Sequence, residues 1–311
     1  MKNFWKGKKV VVTGAAGFIG SHVVDALTKK ESIVTAVVSP KTSEEKIKKN
    51  LALSLKNISI QKADLTIFND CLKIVKGQDI VLHFAAMDGG KAFKIKYGTE
   101  IFRVNTQMIL NMLEASAVER VMRFLLISSI EILKADNEAG EGYKWSKTVG
   151  ELAAKMYVEQ YGLKIAIARP GNVYGPRDYN SGERQRVIPT FISHCLRGEK
   201  IEIWDDGDLK RPFLYISDLV DALLKLTELY AVCDPVNIAS EKAISLRNLA
   251  QLIGKIAQKE VKLQFGKTRS SKENNINIDI EKAKRVISFG ERVSLEKGLK
   301  ETIEYYKKLY K

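Results

Sequence analysis

Two runs of residues in this sequence have the types and spacing for chemistry. The first is Tyr143-Lys144-Trp145-Ser146-Lys147, a Y-x-x-x-K. On a helix, i, i+4 spacing puts phenol and ammonium on one face. A cation beside a phenol favours the phenolate, so Tyr143 can serve as a general base with Lys147 as its partner. Ser128-Ser129 close an apolar run upstream, and Ser129 adds a hydroxyl at the same end. The second run is Thr13-Gly14-Ala15-Ala16-Gly17-Phe18-Ile19-Gly20. Its glycines permit a tight turn, close approach of backbone to a pyrophosphate, and close helix–strand packing. A helix starting there offers free N–H groups and its positive dipole end to the phosphates. Together the runs predict a dinucleotide-dependent enzyme with an acid–base tyrosine.

The elements that must carry these runs alternate. Strands are expected at 8–13, 33–38, 57–64, 79–86, 123–129 and 163–170, and helices at 18–29, 42–54, 66–76, 99–117 and 143–161. Strands apolar on both faces and separated by helices predict a parallel sheet covered on both sides. With right-handed crossovers this is an α/β, doubly wound parallel Rossmann sheet. From 171 the texture changes. A Gly-, Asn- and Arg-rich stretch, 171–186, reads as loop, and short strands then mix with helices at 187–198, 217–229, 245–258 and 294–308. We expect a dinucleotide-binding domain over 1–170 and a smaller C-terminal α/β substrate lobe over 171–311, with strands crossing back to the main sheet. A ligand then sits between the two, at the carboxyl ends of the strands.

The ordered set of motifs resembles the extended short-chain dehydrogenase/reductase family of NAD(P)-dependent nucleotide-sugar epimerases and dehydratases. The resemblance spans essentially the whole chain. Asp64-Leu65 is similar to the family's adenine-facing segment, and His83-Phe84-Ala85-Ala86 to its H-x-A-A cofactor segment. Asn105 matches its V-N position. The run from Arg169 through Asn172 to Pro176 resembles R-x-x-N-x-Y-G-P, whose Asn contacts the substrate diphosphate. Arg211-Pro212-Phe213 begins a segment like R-D-F-x-Y-V-x-D, whose Arg binds phosphate. Arg269 falls where the family has R-P-G-D. The resemblance therefore implies Ser129, Tyr143 and Lys147 as catalytic residues. It implies a cofactor site of Gly14, Gly17, Phe18, Ile19, Gly20, Asp64, Leu65, Phe84, Ala85, Ala86, Asn105, Tyr143 and Lys147. Met87, Asn172, Arg211 and Arg269 are implied for substrate. The expected reaction is epimerisation at C4 of the sugar through a 4-keto intermediate. A 4,6-dehydratase, a 4-keto-sugar reductase, and a dinucleotide-sensing or RNA-binding protein are the alternatives. A homodimer through helices 99–117 and 143–161 is also implied.

Departures from the family pattern shape further expectations. Tyr143 follows Ser129 by an interval of only 14, shorter than is common in the family. Ile132-Leu133-Lys134 replace its V-Y-G. Glu131 stands where family dehydratases carry the base for the C5 proton. Met87-Asp88-Gly89-Gly90 is similar to a stretch of epimerase-reductases, but the acid/base Cys and His of that branch are missing here, which disfavours 3,5-epimerisation. No acidic residue follows the second strand, where Val38-Ser39-Pro40-Lys41 stand. A carboxylate there accepts the ribose hydroxyls and repels a 2′-phosphate. Ser39, Lys41 and Ser43 instead favour NADP over NAD.

Composition bounds the rest. The 311 residues are 45% apolar and 28% charged, which excludes a disordered chain. Lys and Arg exceed Asp and Glu by 14. The lysines alternate with glutamates on predicted helices without a basic, aromatic-interleaved stripe, which argues against nucleic acid. Cys71, Cys195 and Cys233 match no metal or disulfide spacing, and His22, His83 and His194 form no metal motif. His83 reads as a packed residue, Asp218 as a helix cap, and Arg177, Arg184 and Arg186 as loop charges or substrate contacts. No apolar run approaches a membrane span, and no secretory leader is evident, so a cytoplasmic protein without membrane partners is expected.

Overall fold

The computed structural model describes residues 3–133, 141–178, 185–203, 206–266 and 278–310. Its strands are β1 (Lys9–Thr13), β2 (Ile33–Val38), β3 (Ile58–Lys62), β4 (Ile80–His83), β5 (Arg123–Ile127) and β6 (Ile165–Pro170). These are followed by β7 (Asn172–Tyr174), β8 (Lys200–Ile203), β9 (Lys210–Tyr215), β10 (Val236–Ile238), β11 (Ala243–Ser245) and β12 (Lys262–Phe265). The helices are α1 (Phe18–Lys29), α2 (Glu44–Asn50), α3 (Phe68–Val75), α4 (Lys91–Lys96), α5 (Gly98–Val118) and α6 (Gly142–Tyr161). After them come α7 (Val187–Arg197), α8 (Ile216–Leu229), α9 (Leu246–Ala257), α10 (Glu281–Ile287) and α11 (Leu295–Leu309).

Seven strands form one parallel sheet in the order β10-β6-β5-β4-β1-β2-β3. Strand period two sends neighbouring residues to opposite faces. Val10 and Val12 of β1, with Leu82 of β4 and Leu125 of β5, join one apolar cluster with Val23, Val24 and Leu27 of α1. Val11, Val81, Phe124 and Leu126 point the other way, onto Ile74 of α3, Met112 and Leu113 of α5, and Ala154 of α6. Burial on both faces is why these strands read as unbroken apolar runs. Chain order reverses between β1 and β4, the switch point at which an open α/β sheet leaves a crevice.

The sheet's last strand, β10, comes from beyond residue 171. The remaining strands build two small sheets, β11-β9-β7 and β12-β8. Three local expectations change. The stretch 171–186, read as loop, contains β7, because Asn172, Val173 and Tyr174 pair in parallel with Phe213, Leu214 and Tyr215 of β9. Asp218 lies in the first turn of α8 and its Oδ2 accepts the backbone N–H groups of Arg292 and Val293, both at 3.1 Å, so it ties a distant loop and caps nothing. The helix expected over 42–54 is shortened to α2, where the Ser43 hydroxyl accepts from Lys46 N at 3.3 Å.

Candidate active site

The glycine turn fits its place through backbone contacts. Gly14 has φ of +64°, and a Cβ there would meet Ala85 N at 2.9 Å, across the β1–β4 crevice. A Cβ on Gly20 would lie 2.3 Å from Gly14 O, so α1 can begin this close to β1 only with glycine. No side chain caps α1 at Gly17. The N–H groups of Phe18, Ile19 and Gly20 have no intrahelical acceptor and stand at the positive end of the helix.

Thr13 organises the opposite rim. Its hydroxyl accepts from Phe84 N and Ala85 N, each at 3.1 Å, and lies 2.9 Å from His83 Nδ1. An oxygen that accepts two N–H groups must spend its own proton on His83 Nδ1, so the imidazole carries its hydrogen on Nε2. Burial holds His83 neutral, with its pKa pushed down to about 3. It is a packed residue, as expected. Asn105 is buried; its Oδ1 accepts from Met87 N at 2.7 Å and its Nδ2 donates to Met87 O at 3.1 Å. It therefore fixes the path of the chain just after Ala86.

Asp64 is exposed, and Thr66 donates to it from both N and Oγ1, which holds its carboxyl below the usual range. The neighbouring Leu65 is buried. Ser39 and Lys41 are exposed at the end of β2, where Ser39 Oγ accepts from Lys41 N at 3.3 Å. The proposed 2′-phosphate cradle is weakened, because Ser43 serves α2 and the Lys41 charge acts on Asp64.

The candidate catalytic residues converge at the carboxyl end of β5. Ser129 is 8% exposed; its Oγ accepts from Glu131 N at 3.1 Å, and its hydroxyl favours the ionised form of the Tyr143 phenol. Lys147, 4% exposed, donates to Ile127 O at 2.8 Å, and its Nζ lies 5.4 Å from the Tyr143 ring centroid. Among the described residues Ser128 Oγ has no hydrogen-bond partner. The start of α6 sets this geometry: a Cβ on Gly142 would lie 1.8 Å from Gly98 O, so α5 and α6 touch backbone to backbone beside Tyr143.

Electrostatics depart from expectation here. Lys147 alone would favour the phenolate. Burial, together with the Asp88 and Glu131 carboxylates, instead raises the Tyr143 phenol well above the ordinary tyrosine value, against Arg186 and Ser129. Burial lowers Lys147 to about 8. The responsible cluster was not found by sequence reasoning. Lys94 of α4 pairs with Glu131 at 2.6 Å and Asp88 at 3.4 Å, and its Nζ lies 3.8 Å over the Tyr143 ring. Arg186, just before α7, reaches Asp88 at 2.8 Å and Asp178 at 3.5 Å. Arg186 is thus no solvated loop charge, and neither is Arg177, whose Nη2 lies 2.7 Å from Asp25 of α1. Arg184 lies outside the described residues.

On the substrate side, Asn172 registers with Phe213, so side-chain alternation puts Arg211 on the same face of the small sheet. Asn172 Nδ2 donates to Pro212 O at 3.2 Å. Met87 is tied through its backbone N–H and C=O to Asn105. Arg269 lies outside the described residues. Among the described residues no group of His, Cys, Asp and Glu could hold a metal ion, and no helix is long and apolar enough to cross a membrane.

Comparison with known proteins identifies the family and the fold. The sequence profile of the NAD dependent epimerase/dehydratase family matches residues 10–239. A dTDP-4-dehydro-6-deoxy-D-allose reductase of Streptomyces sp is 32% identical, with 97% of each chain covered. Among solved structures, the UDP-glucose 4-epimerase of Thermotoga maritima with UDP-glucose superposes with a TM-score of 0.86 at 27% identity, covering 97% of this chain and 99% of that one. The UDP-glucuronic acid 4-epimerase of Bacillus cereus, in complex with UDP-glucuronic acid and NAD, gives a TM-score of 0.85 at 26% identity over 97% of this chain and 100% of that one.

Proposed function

The chain belongs to the NAD dependent epimerase/dehydratase family, and from that premise we propose that it is a nucleotide-diphosphate-sugar 4-epimerase. The observation that carries this reading is the meeting of Ser129, Tyr143 and Lys147 at the end of β5, beside the crevice that the glycine turn borders. When bound, a nicotinamide dinucleotide supplies the acceptor, and later the donor, of one hydride. This chain's residues suit it. Gly14, Gly17, Phe18, Ile19 and Gly20 would meet the pyrophosphate, Asp64 and Leu65 the adenine, and Phe84, Ala85 and Ala86 the nicotinamide side. Lys147 and Tyr143 would hold the nicotinamide ribose.

Tyr143 would take the proton of the C4 hydroxyl as that carbon is oxidised. Ser129 hydrogen-bonds the developing alkoxide. Asn172 and Arg211, with Arg269, anchor the diphosphate, so binding energy from a remote group positions the sugar. Tyr143 would give the proton back to the C4 oxygen in the second half of an epimerisation. NAD is the dinucleotide we assign. A solved relative binds it, and of Ser39, Lys41 and Ser43 the last already serves as the cap of α2.

A second reading, a 4,6-dehydratase, is favoured by one observation: Glu131 lies beside Ser129 and acts on Tyr143. The deciding experiment is a turnover panel of nucleotide sugars in deuterated water, with products read by NMR. Inversion at C4 without deuterium at C5 supports the epimerase. Loss of water with deuterium at C5 moves the assignment to the dehydratase, and no turnover with any nucleotide sugar removes both. We further propose a homodimer through α5 and α6, which expose Phe102, Leu110, Trp145, Leu152 and Met156. Light scattering that gives a monomer mass at micromolar concentration would reject it.

A further inference from the structure

Lys94 enters none of the motifs, yet it is the side chain seated on the Tyr143 ring. It comes from α4, whose approach is fixed by contact: a Cβ on Gly90 would lie 2.2 Å from Gln185 O, and one on Gly89 would strike the Phe93 ring. Lys94 is mostly buried, at 18% side-chain exposure, and bridges Glu131 at 2.6 Å and Asp88 at 3.4 Å. A lysine gives up hydration to sit there, which is costly unless carboxylates compensate it. The reverse also holds. Asp88 and Glu131 beside a buried phenol oppose a phenolate unless a cation stands among them.

We propose that Lys94 is a positioning residue of the proton-transfer site, whose ammonium partly offsets Glu131 and Asp88 against the Tyr143 ring and so limits how far they oppose the phenolate. The inference rests on the proposed role of Tyr143. The charged and polar groups facing Tyr143 come from four elements. They are Lys147 on its own helix, Ser129 and Glu131 on the turn after β5, Asp88 and Lys94 around α4, and Arg186 before α7, with Asp178 behind Arg186. Arg186 shares Asp88 but has no ion pair with Glu131, so Lys94 is the cation that compensates Glu131.

The test titrates Tyr143 directly in the NAD-loaded chain labelled with carbon-13 at tyrosine Cζ, the signal being assigned by its loss in Tyr143→Phe. Removal of a cation at this range moves a midpoint by about one unit or more. Lys94→Met is expected to move the Tyr143 midpoint up by that amount, and Lys94→Arg to leave it near the parent value. Adding Glu131→Gln to Lys94→Met should bring it back down. Glu131→Gln alone, which keeps Lys94 against Asp88, should move it below the parent and serves if Lys94→Met does not fold. The acidic limb of kcat/KM for a nucleotide sugar follows the same order. A midpoint unmoved in Lys94→Met, or unmoved in Glu131→Gln, overturns the proposal even if turnover is lost, because a merely structural lysine would give that result. If no nucleotide sugar is turned over by the parent, the functional reading fails while the titration still decides the role of Lys94.

Discussion

Gly142→Ala is the sharpest probe of how the fold holds Tyr143. The added Cβ would lie 1.8 Å from Gly98 O, whereas an unstrained carbon–oxygen contact needs about 3.3 Å. The first turn of α6 must therefore retreat from α5 by about 1.5 Å. Neither partner can yield as a side chain would, because both are backbone at helix starts. Overpacking of this kind costs ~1–3 kcal/mol, a fall of a few degrees in Tm for a chain of this size. Tyr143 is the next residue and moves with the turn. A misplacement of ~1 Å costs about a hundredfold in rate. We expect kcat/KM for a nucleotide sugar to drop by about that factor while the circular dichroism spectrum stays native. Gly150→Ala is the control on the same helix. Its Cβ meets the Ile109 side chain at 3.1 Å, which can shift a few tenths of an ångström, and activity should stay within about threefold. Equal activity in Gly142→Ala and the parent would refute the claim that this backbone contact places the tyrosine.

Tyr143→Phe removes only the phenolic hydroxyl, so turnover should fall ~10²–10⁴-fold with Tm nearly unchanged. Activity within threefold of the parent would remove Tyr143 from the chemistry. Arg211→Ala should weaken nucleotide-sugar binding by ~1.5–3 kcal/mol and leave NAD affinity intact, which calorimetry can separate. For the cofactor, dissociation constants on stripped protein should favour NAD over NADP, and Lys41→Ala should change neither; tighter NADP binding lost in Lys41→Ala would restore the 2′-phosphate site. Lys147 gives a pH signature in the cofactor-free chain. Its folded pKa, about 8, lies below the ordinary 10.5, so the unfolded chain binds more protons between those values. Stability relative to Lys147→Met should therefore rise with pH from 8 to 10.5 in denaturant titrations. A flat difference would show that Lys147 is not held this way.

Much of the molecule was legible because its signals are local. The glycine turn and the Y-x-x-x-K each lie within one short run, and strands buried on both faces announce themselves as apolar runs. The expected bounds 33–38 and 18–29 match β2 and α1 residue for residue. What escaped was non-local. In KAFKIK, Lys94 looks like any solvated lysine, and only the fold brings it to Glu131 and the Tyr143 ring. The same holds for Arg186, whose partners Asp88 and Asp178 could not be read from its neighbours. The Tyr143 environment was misjudged for that reason: Lys147 is four residues away in sequence, whereas the opposing carboxylates are not adjacent to the motif at all. Strand β7 was missed because three residues between glycines carry no period, and its partner β9 supplies the order.

The placement of β10 at the edge of the main sheet has a consequence during synthesis. As the chain leaves the ribosome, β1 through β6 can assemble, but β6 keeps a row of unpaired backbone groups until residue 238 has emerged. An open parallel edge is a template for another chain, and slow pairing prolongs its exposure. A nascent chain stalled between β6 and β10 should therefore be the form that recruits chaperones or aggregates. Splitting the gene after residue 170 should give an insoluble first half that becomes soluble when the second half is made alongside it.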